Sequence, residues 1–276
     1  MNKNIIIIGA RSNFSNYLNK YIEGCNLIST KDIDNLEHKI QKLDTIDFIY
    51  NTSFHSNLLH SNNTNPVDYS NYSFHYLSKF VNICYKYHSK INSIIYTSSC
   101  AVYGDNSFAK EDDEIKIKSL YASLKASSEY LIEKYLGSKN INLIYARLFN
   151  LYGGNDHFSV VSKIIYAAKN NTPFCLLNNG KNIRDFIYIY DAVKIYKLIL
   201  DSNFSGKINI ASGHGTEIQY IIDLAEITFQ KKIKIIKKVK NDVLACVGCN
   251  DIITNKLKFK DFKNLKYFFE INSISS

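Results

Sequence analysis

The chain has 276 residues, 46% hydrophobic and 21% charged, a balance that excludes global disorder and supplies material for a sizeable core. No apolar run approaches the ~20 residues needed to cross a bilayer, and Ile5 to Ile8 is too short for a signal-peptide core, so a cytoplasmic protein with no membrane partner is expected. Its 34 Lys and Arg against 25 Asp and Glu leave a net charge of +9, which suits an anionic ligand; with no helix-turn-helix, zinc-finger or RNP signature, nucleic acid is not expected.

The first element is a strand over 4–8, whose β-branched run fits a strand buried on both faces of a parallel sheet. Gly9 then allows a sharp turn, and Phe14, Tyr17, Leu18 and Tyr21 recur at helical spacing. A strand over 25–29, a helix over 34–43 and a strand over 46–50 follow, the last ending at Asn51, Thr52 and Ser53. Beyond a polar loop over 57–65 come a helix over 67–88, a strand over 93–97, a helix over 121–136 and a strand over 142–146. Strands alternating with helices predict an α/β protein with a doubly wound parallel sheet. After about residue 155 the elements shorten, with helices over 160–169, 190–200 and 218–229 and short strands between them. This predicts a dinucleotide-binding domain over 1–155 and a smaller substrate lobe over 156–276, part of 184–201 packing back on the first domain.

The cysteines are scattered except for Cys246 and Cys249, which have no second pair beside them, and the histidines show no metal-ligand spacing; no metal is expected. The lysine-rich stretches 231–240 and 256–266 read as solvated faces.

Two constellations carry chemistry. The first runs Gly9, Ala10, Arg11, Ser12, Asn13, Phe14, Ser15, between a strand and a helix. A dinucleotide pyrophosphate needs a backbone free of side chains and a helix N-terminus for its charge. Of a Gly-x-x-Gly-x-x-Gly pattern only Gly9 is present, Ser12 and Ser15 standing at the other two positions. Arg11 suits a 2′-phosphate. The second strand ends Leu27, Ile28, Ser29, Thr30, Lys31, with no carboxylate at its tip, although Asp32 follows. NADP(H) is therefore expected over NAD(H).

The second constellation is Tyr121-Ala-Ser-Leu-Lys125, preceded by Ser98 and Ser99 at a strand end. Residues four apart share one helical face. A free phenol has a pKa near ~10. A nearby ammonium, helped by an oxidised nicotinamide, is expected to favour the phenolate, while Ser99 can orient the reacting oxygen.

These blocks, with Tyr96-Thr-Ser-Ser-Cys-Ala-Val-Tyr-Gly104, Arg147-Leu-Phe-Asn-Leu-Tyr-Gly153 and Gly180-Lys-Asn-Ile-Arg-Asp-Phe-Ile-Tyr188, resemble the extended short-chain dehydrogenase/reductase superfamily, in its nucleotide-sugar epimerase, dehydratase and reductase branch. The resemblance spans nearly the whole chain and implies a Rossmann-type fold with a smaller C-terminal α/β lobe. It implies Tyr121 as acid/base, Lys125 as its partner and ribose ligand, and Ser99 as the orienting hydroxyl, four residues before Tyr103. It further implies cofactor contacts from Gly9, Arg11, Ser12, Asn13, Phe14, Lys31, Asp32, Asn51, Thr52, Ser53 and Phe149. Asn150, Lys163 and Arg184 fall at substrate positions beside Ser99. Arg184 would grip a diphosphate, the competing role being an ion pair with Asp185 or Asp191.

Cys100 and Ala101 stand where the 4,6-dehydratases carry Asp-Glu, so dehydration is not expected. Within the branch the chain resembles GDP-fucose synthase or UDP-galactose 4-epimerase. Cys100 lies one position early for the epimerising cysteine of the former, and His157 two positions before its histidine. The expected activity is NADP(H)-dependent reduction of a 4-keto nucleotide-diphosphate sugar. The alternatives are a 4-epimerase holding NAD tightly and a non-catalytic nucleotide-binding protein. Relatives are often homodimers through paired helices.

Overall fold

Four consecutive buried isoleucines form β1 (Ile5–Ile8) in a computed structural model that describes residues 3–52, 65–240 and 242–273. Ser53 and the loop over 57–64 lie outside the described residues. The Ser12 hydroxyl caps α1 (Asn13–Tyr21), and β2 (Cys25–Ile28) follows. The helix expected over 34–43 is two shorter pieces, a 3-10 run Thr30–Asn35 and α2 (Leu36–Gln41). The Ser29 hydroxyl caps the 3-10 run by accepting from Lys31 N, and Asp32, Asp34 and Asn35 within it are weak helix formers.

Next come β3 (Ile46–Tyr50) and α3 (Pro66–Lys86). Proline suits the first turn of α3 because it lacks only an N–H that has no partner within the helix. The chain continues through β4 (Ile91–Ser99), β5 (Asn106–Ala109), α4 (Leu120–Leu136) capped by Ser119, β6 (Asn142–Leu148) and β7 (Asn150–Tyr152). There follow α5 (Val160–Asn170), β8 (Phe174–Leu177), β9 (Ile183–Tyr188), α6 (Ile189–Leu200), β10 (Gly206–Ile210) and β11 (Gly215–Glu217). The last elements are α7 (Ile218–Phe229), β12 (Ile235–Lys238), β13 (Ala245–Gly248), a single π turn Ile252–Lys256 and α8 (Leu265–Ser273).

The chain divides into two units. One takes the residues up to Val102, Ile117–Arg147 and Tyr196–Ile208. Its sheet has the order β10-β6-β4-β3-β1-β2, with β1 parallel to both β2 and β3 and β3 parallel to β4. The chain runs outward from β1 to β2 and then returns to the other side of β1 as β3. In open α/β sheets ligands bind at such a reversal point, here the carboxyl ends of β1 and β3. The core beneath includes Phe48, Tyr50, Phe80, Ile94, Ile132 and Leu136, Phe48 and Phe80 meeting edge to face with centroids 5.3 Å apart. Tyr196, at the head of the third segment, is fixed in this unit by a 2.9 Å bond to Thr97 and an edge contact with Phe14.

The other unit comprises Tyr103–Lys116, Leu148–Ile195 and the residues from Asn209 onward. Its main sheet runs β11-β9-β13-β5, with β7 also on β9, and β12 pairs with β8 in a separate ribbon. Helix α7 lies against α5 and α8. The sequence reading contained no helix at α8. The two units alternate along the chain, so no single boundary near residue 155 separates them.

Candidate active site

The turn after β1 sits at the sheet's reversal point. Gly9 has φ +120, and a Cβ there would stand 2.2 Å from the Asn51 carbonyl oxygen at the end of β3. Only glycine accepts both the dihedral and the approach. The Gly9 and Ala10 amides donate to Ile28 O at 3.0 and 3.2 Å, tying the turn to β2. The Asn51 side-chain amide donates to Ser15 Oγ at 2.7 Å and to Ser12 Oγ at 3.1 Å. The two serines at glycine positions thus turn their hydroxyls inward onto Asn51, and α1 still packs closely on β3. A helix N-terminus behind a glycine turn is a donor set that fits the diphosphate of a dinucleotide.

Around it, Ser12 and Asn13 are half-buried, Phe14 is buried, and Arg11, Lys31 and Asp32 are exposed. Phe149 belongs to the other unit, where its ring stacks on Tyr103 at 6.3 Å and its amide donates to Ile210 O.

Ser99 ends β4, while Tyr121 and Lys125 occupy successive turns of α4. The Ser99 hydroxyl stands near the Tyr121 phenol and lowers its pKa. Lys125 Nζ donates to Thr97 O at 2.8 Å and Thr52 O at 3.2 Å, and lies 5.9 Å from the Tyr121 ring centroid. Burial pushes the Tyr121 phenol up to about 12, opposed by Ser99. Burial also brings the Lys125 amine down to about 7, opposed by the Glu129 charge. The phenolate expected from the sequence is therefore not favoured by the chain alone. Desolvation penalises whichever form is charged, and it is the largest influence on both groups.

Three residues that carried no role in the sequence reading complete this region. Glu129, one turn beyond Lys125, takes Arg147 Nε at 3.1 Å, Arg147 Nη2 at 2.8 Å and the Ser98 hydroxyl. Arg147 is wholly buried. The available signal was the spacing Tyr121, Lys125, Glu129, which is one face of a helix.

The remaining candidates lie in the other unit. Asn150 Nδ2 donates to Asp185 O at 2.8 Å. The Asp185 carboxylate accepts from Ser212 N and Oγ, Gly213 N and Gly248 N. Arg184 Nη2 donates to Asp242 Oδ2 at 3.1 Å and Val243 O at 2.7 Å, and Nη1 to Ile183 O at 2.9 Å. The ion pair is with Asp242, not Asp185 or Asp191; neighbours in a strand point to opposite faces, which separates Arg184 from Asp185. Lys163 and His157 are exposed.

Residues 2–211 match the NAD dependent epimerase/dehydratase family. The chain belongs to that family. This epimerase/dehydratase chain is 30% identical to human dTDP-D-glucose 4,6-dehydratase over 124 residues, 44% of this chain and 35% of that protein. It spans less than half the length of the curated relatives it matches. Its fold is that of the UDP-glucose 4-epimerase of Thermus thermophilus in complex with NAD (TM-score 0.84, 15% identity, 98% of this chain and 97% of that one). It also matches the UDP-N-acetylglucosamine 4-epimerase of Methanobrevibacter ruminantium in complex with UDP-N-acetylmuramic acid (TM-score 0.80, 21% identity, 99% and 96%). Among the described residues of this epimerase/dehydratase chain, no helix is long and apolar enough to cross a membrane.

Proposed function

We propose that the chain reduces a 4-keto nucleotide-diphosphate sugar with NADPH. The observation that carries this reading is the convergence on Tyr121 of Ser99, which acts on its phenol, and of the buried Lys125 amine, 5.9 Å from its ring and one helical turn away. A ketone becoming an alcohol gains a hydride at carbon and a proton at oxygen. The nicotinamide supplies the hydride when bound. Tyr121, held protonated by its burial, donates the proton to the developing alkoxide. Ser99 bonds to the same oxygen and orients it. Lys125 offsets the negative charge left on the phenol.

Cys100 and Ala101 supply no carboxylates at the two positions where water elimination would use them, which favours simple reduction over dehydration. Arg11 and Lys31, exposed at the β1–β2 edge, support NADP(H). NAD in the Thermus enzyme and the family's epimerases favour a second reading, a 4-epimerase that retains NAD.

The test is a panel of 4-keto sugar nucleotides with NADPH and with NADH, the products followed by mass spectrometry. A gain of two hydrogens per turnover supports reduction. Inversion at C4 of ordinary sugar nucleotides with no net cofactor use, by a chain that copurifies with NAD, replaces it with epimerisation. Cofactor binding without turnover on any substrate would leave neither.

A further inference from the structure

Among the described residues Lys125 is the one buried lysine. An ammonium that leaves water loses much of its hydration, so burial favours the neutral amine unless nearby groups compensate. Two carbonyls, Thr97 O and Thr52 O, accept from its Nζ, but neither carries a full charge. The groups around it are Tyr121 and Glu129 on its own helix and Tyr96 of β4, whose ring centroid is 5.0 Å away. Tyr69 of α3 interacts electrostatically with Tyr121, and Arg147 of β6 pairs with Glu129. Glu129 is the acidic member of this set.

Both oxygens of its carboxylate are held. Arg147 approaches through two nitrogens, Ser98 donates from β4, and the surroundings are dry, with Glu129 7% and Arg147 0% exposed. Charge-assisted bonds of this kind are shorter and stronger than those between neutral groups. In such a site solvent screens the carboxylate little from the next turn of the helix.

We propose that Glu129 is a positioning residue for the active site: clasped by Ser98 and Arg147, it holds a negative charge one helical turn from the Lys125 amine and so favours the ammonium form beside Tyr121. The use of that ammonium in turnover rests on the proposed function; the charge state of Lys125 does not. The Glu129 charge does oppose the effect of burial on Lys125.

The experiment is an NMR titration of the lysine side-chain signals in the ligand-free chain, with Lys125 assigned by Lys125→Met. The wild-type midpoint is expected at about 7. Glu129→Gln with Arg147→Met removes both charges together, so neither is left buried alone, and is expected to lower the midpoint by about one pH unit or more. Should that pair not fold, Glu129→Gln with Arg147→Gln keeps two amides across the same gap. Glu129→Asp, which retains the charge, is expected to hold the midpoint near wild type. The alkaline limb of the pH–rate profile should move with the titration.

A wild-type Lys125 already neutral at pH 6 overturns the proposal. So does an unchanged midpoint in a folded charge-free variant, or a Glu129→Asp shift as large as that of Glu129→Gln. Wild-type turnover by Tyr121→Phe would instead overturn the catalytic reading and leave the titration intact.

Discussion

The Asn51 amide donates to the Ser15 hydroxyl at 2.7 Å with both side chains buried, tying the end of β3 to the first turn of α1. Replacing Asn51 by Ala leaves that hydroxyl without this donor in a buried site, an omission that costs about 1–3 kcal/mol. Asn51→Ala should therefore lower the unfolding midpoint and, by loosening the turn, weaken dinucleotide binding. Denaturant titration and fluorescence binding of NADPH and NADH measure the two effects separately; unchanged values in both would refute the clasp.

Gly9→Ala tests the approach of the turn to β3. Its Cβ would sit 2.2 Å from Asn51 O at a φ of +120, and both the contact and the dihedral must be relieved by backbone movement. The variant should lose dinucleotide binding and melt earlier than wild type. Ala10→Gly, one residue later, serves as the control for added flexibility alone.

Tyr121→Phe removes the transferable proton and keeps the ring. The expected loss in turnover is ~10²–10⁴-fold with little change in cofactor affinity. Ser99→Ala should lose less, ~10²-fold, since it removes an orienting bond and not the proton. A Tyr121→Phe enzyme within a factor of two of wild type rules out the phenol as acid.

Lys125 also sets a pH dependence of stability. Its folded value, about 7, lies below the unfolded ~10.4, so the unfolded chain binds more protons between those limits. Stability contributed at this position rises with pH through that window and is lowest at and below its acid end. Lys125→Met removes the dependence, so its gain in melting temperature over wild type should be greatest near pH 7 and shrink toward pH 9.5. Parallel melting curves for the two chains would contradict this.

The proposed diphosphate role of Arg184 meets a competitor in Asp242, which holds Nη2 at 3.1 Å. If the guanidinium must reach a diphosphate, Asp242→Asn should strengthen binding of a nucleoside diphosphate by a few-fold, and Arg184→Ala should weaken it. Calorimetry with UDP and GDP reads both. Loss of binding in Asp242→Asn would assign Asp242 to the ligand side instead.

Sequence by itself determined the elements that local pattern controls. Ile5 to Ile8 could only be a doubly buried strand, Gly9 a turn, and Tyr121 with Lys125 one face of a helix, because side-chain period and backbone freedom are properties of neighbouring residues. What lay between distant segments was settled by tertiary packing. Asn51 meets Ser15 across 36 positions, Ser98 meets Glu129 across 31, and Arg184 finds Asp242 across 58. The protonation of Tyr121 belongs to this second class. Spacing placed the amine near the phenol, but the desolvation that acts on both, on a buried Lys125 and a half-buried Tyr121, was decided only by tertiary packing.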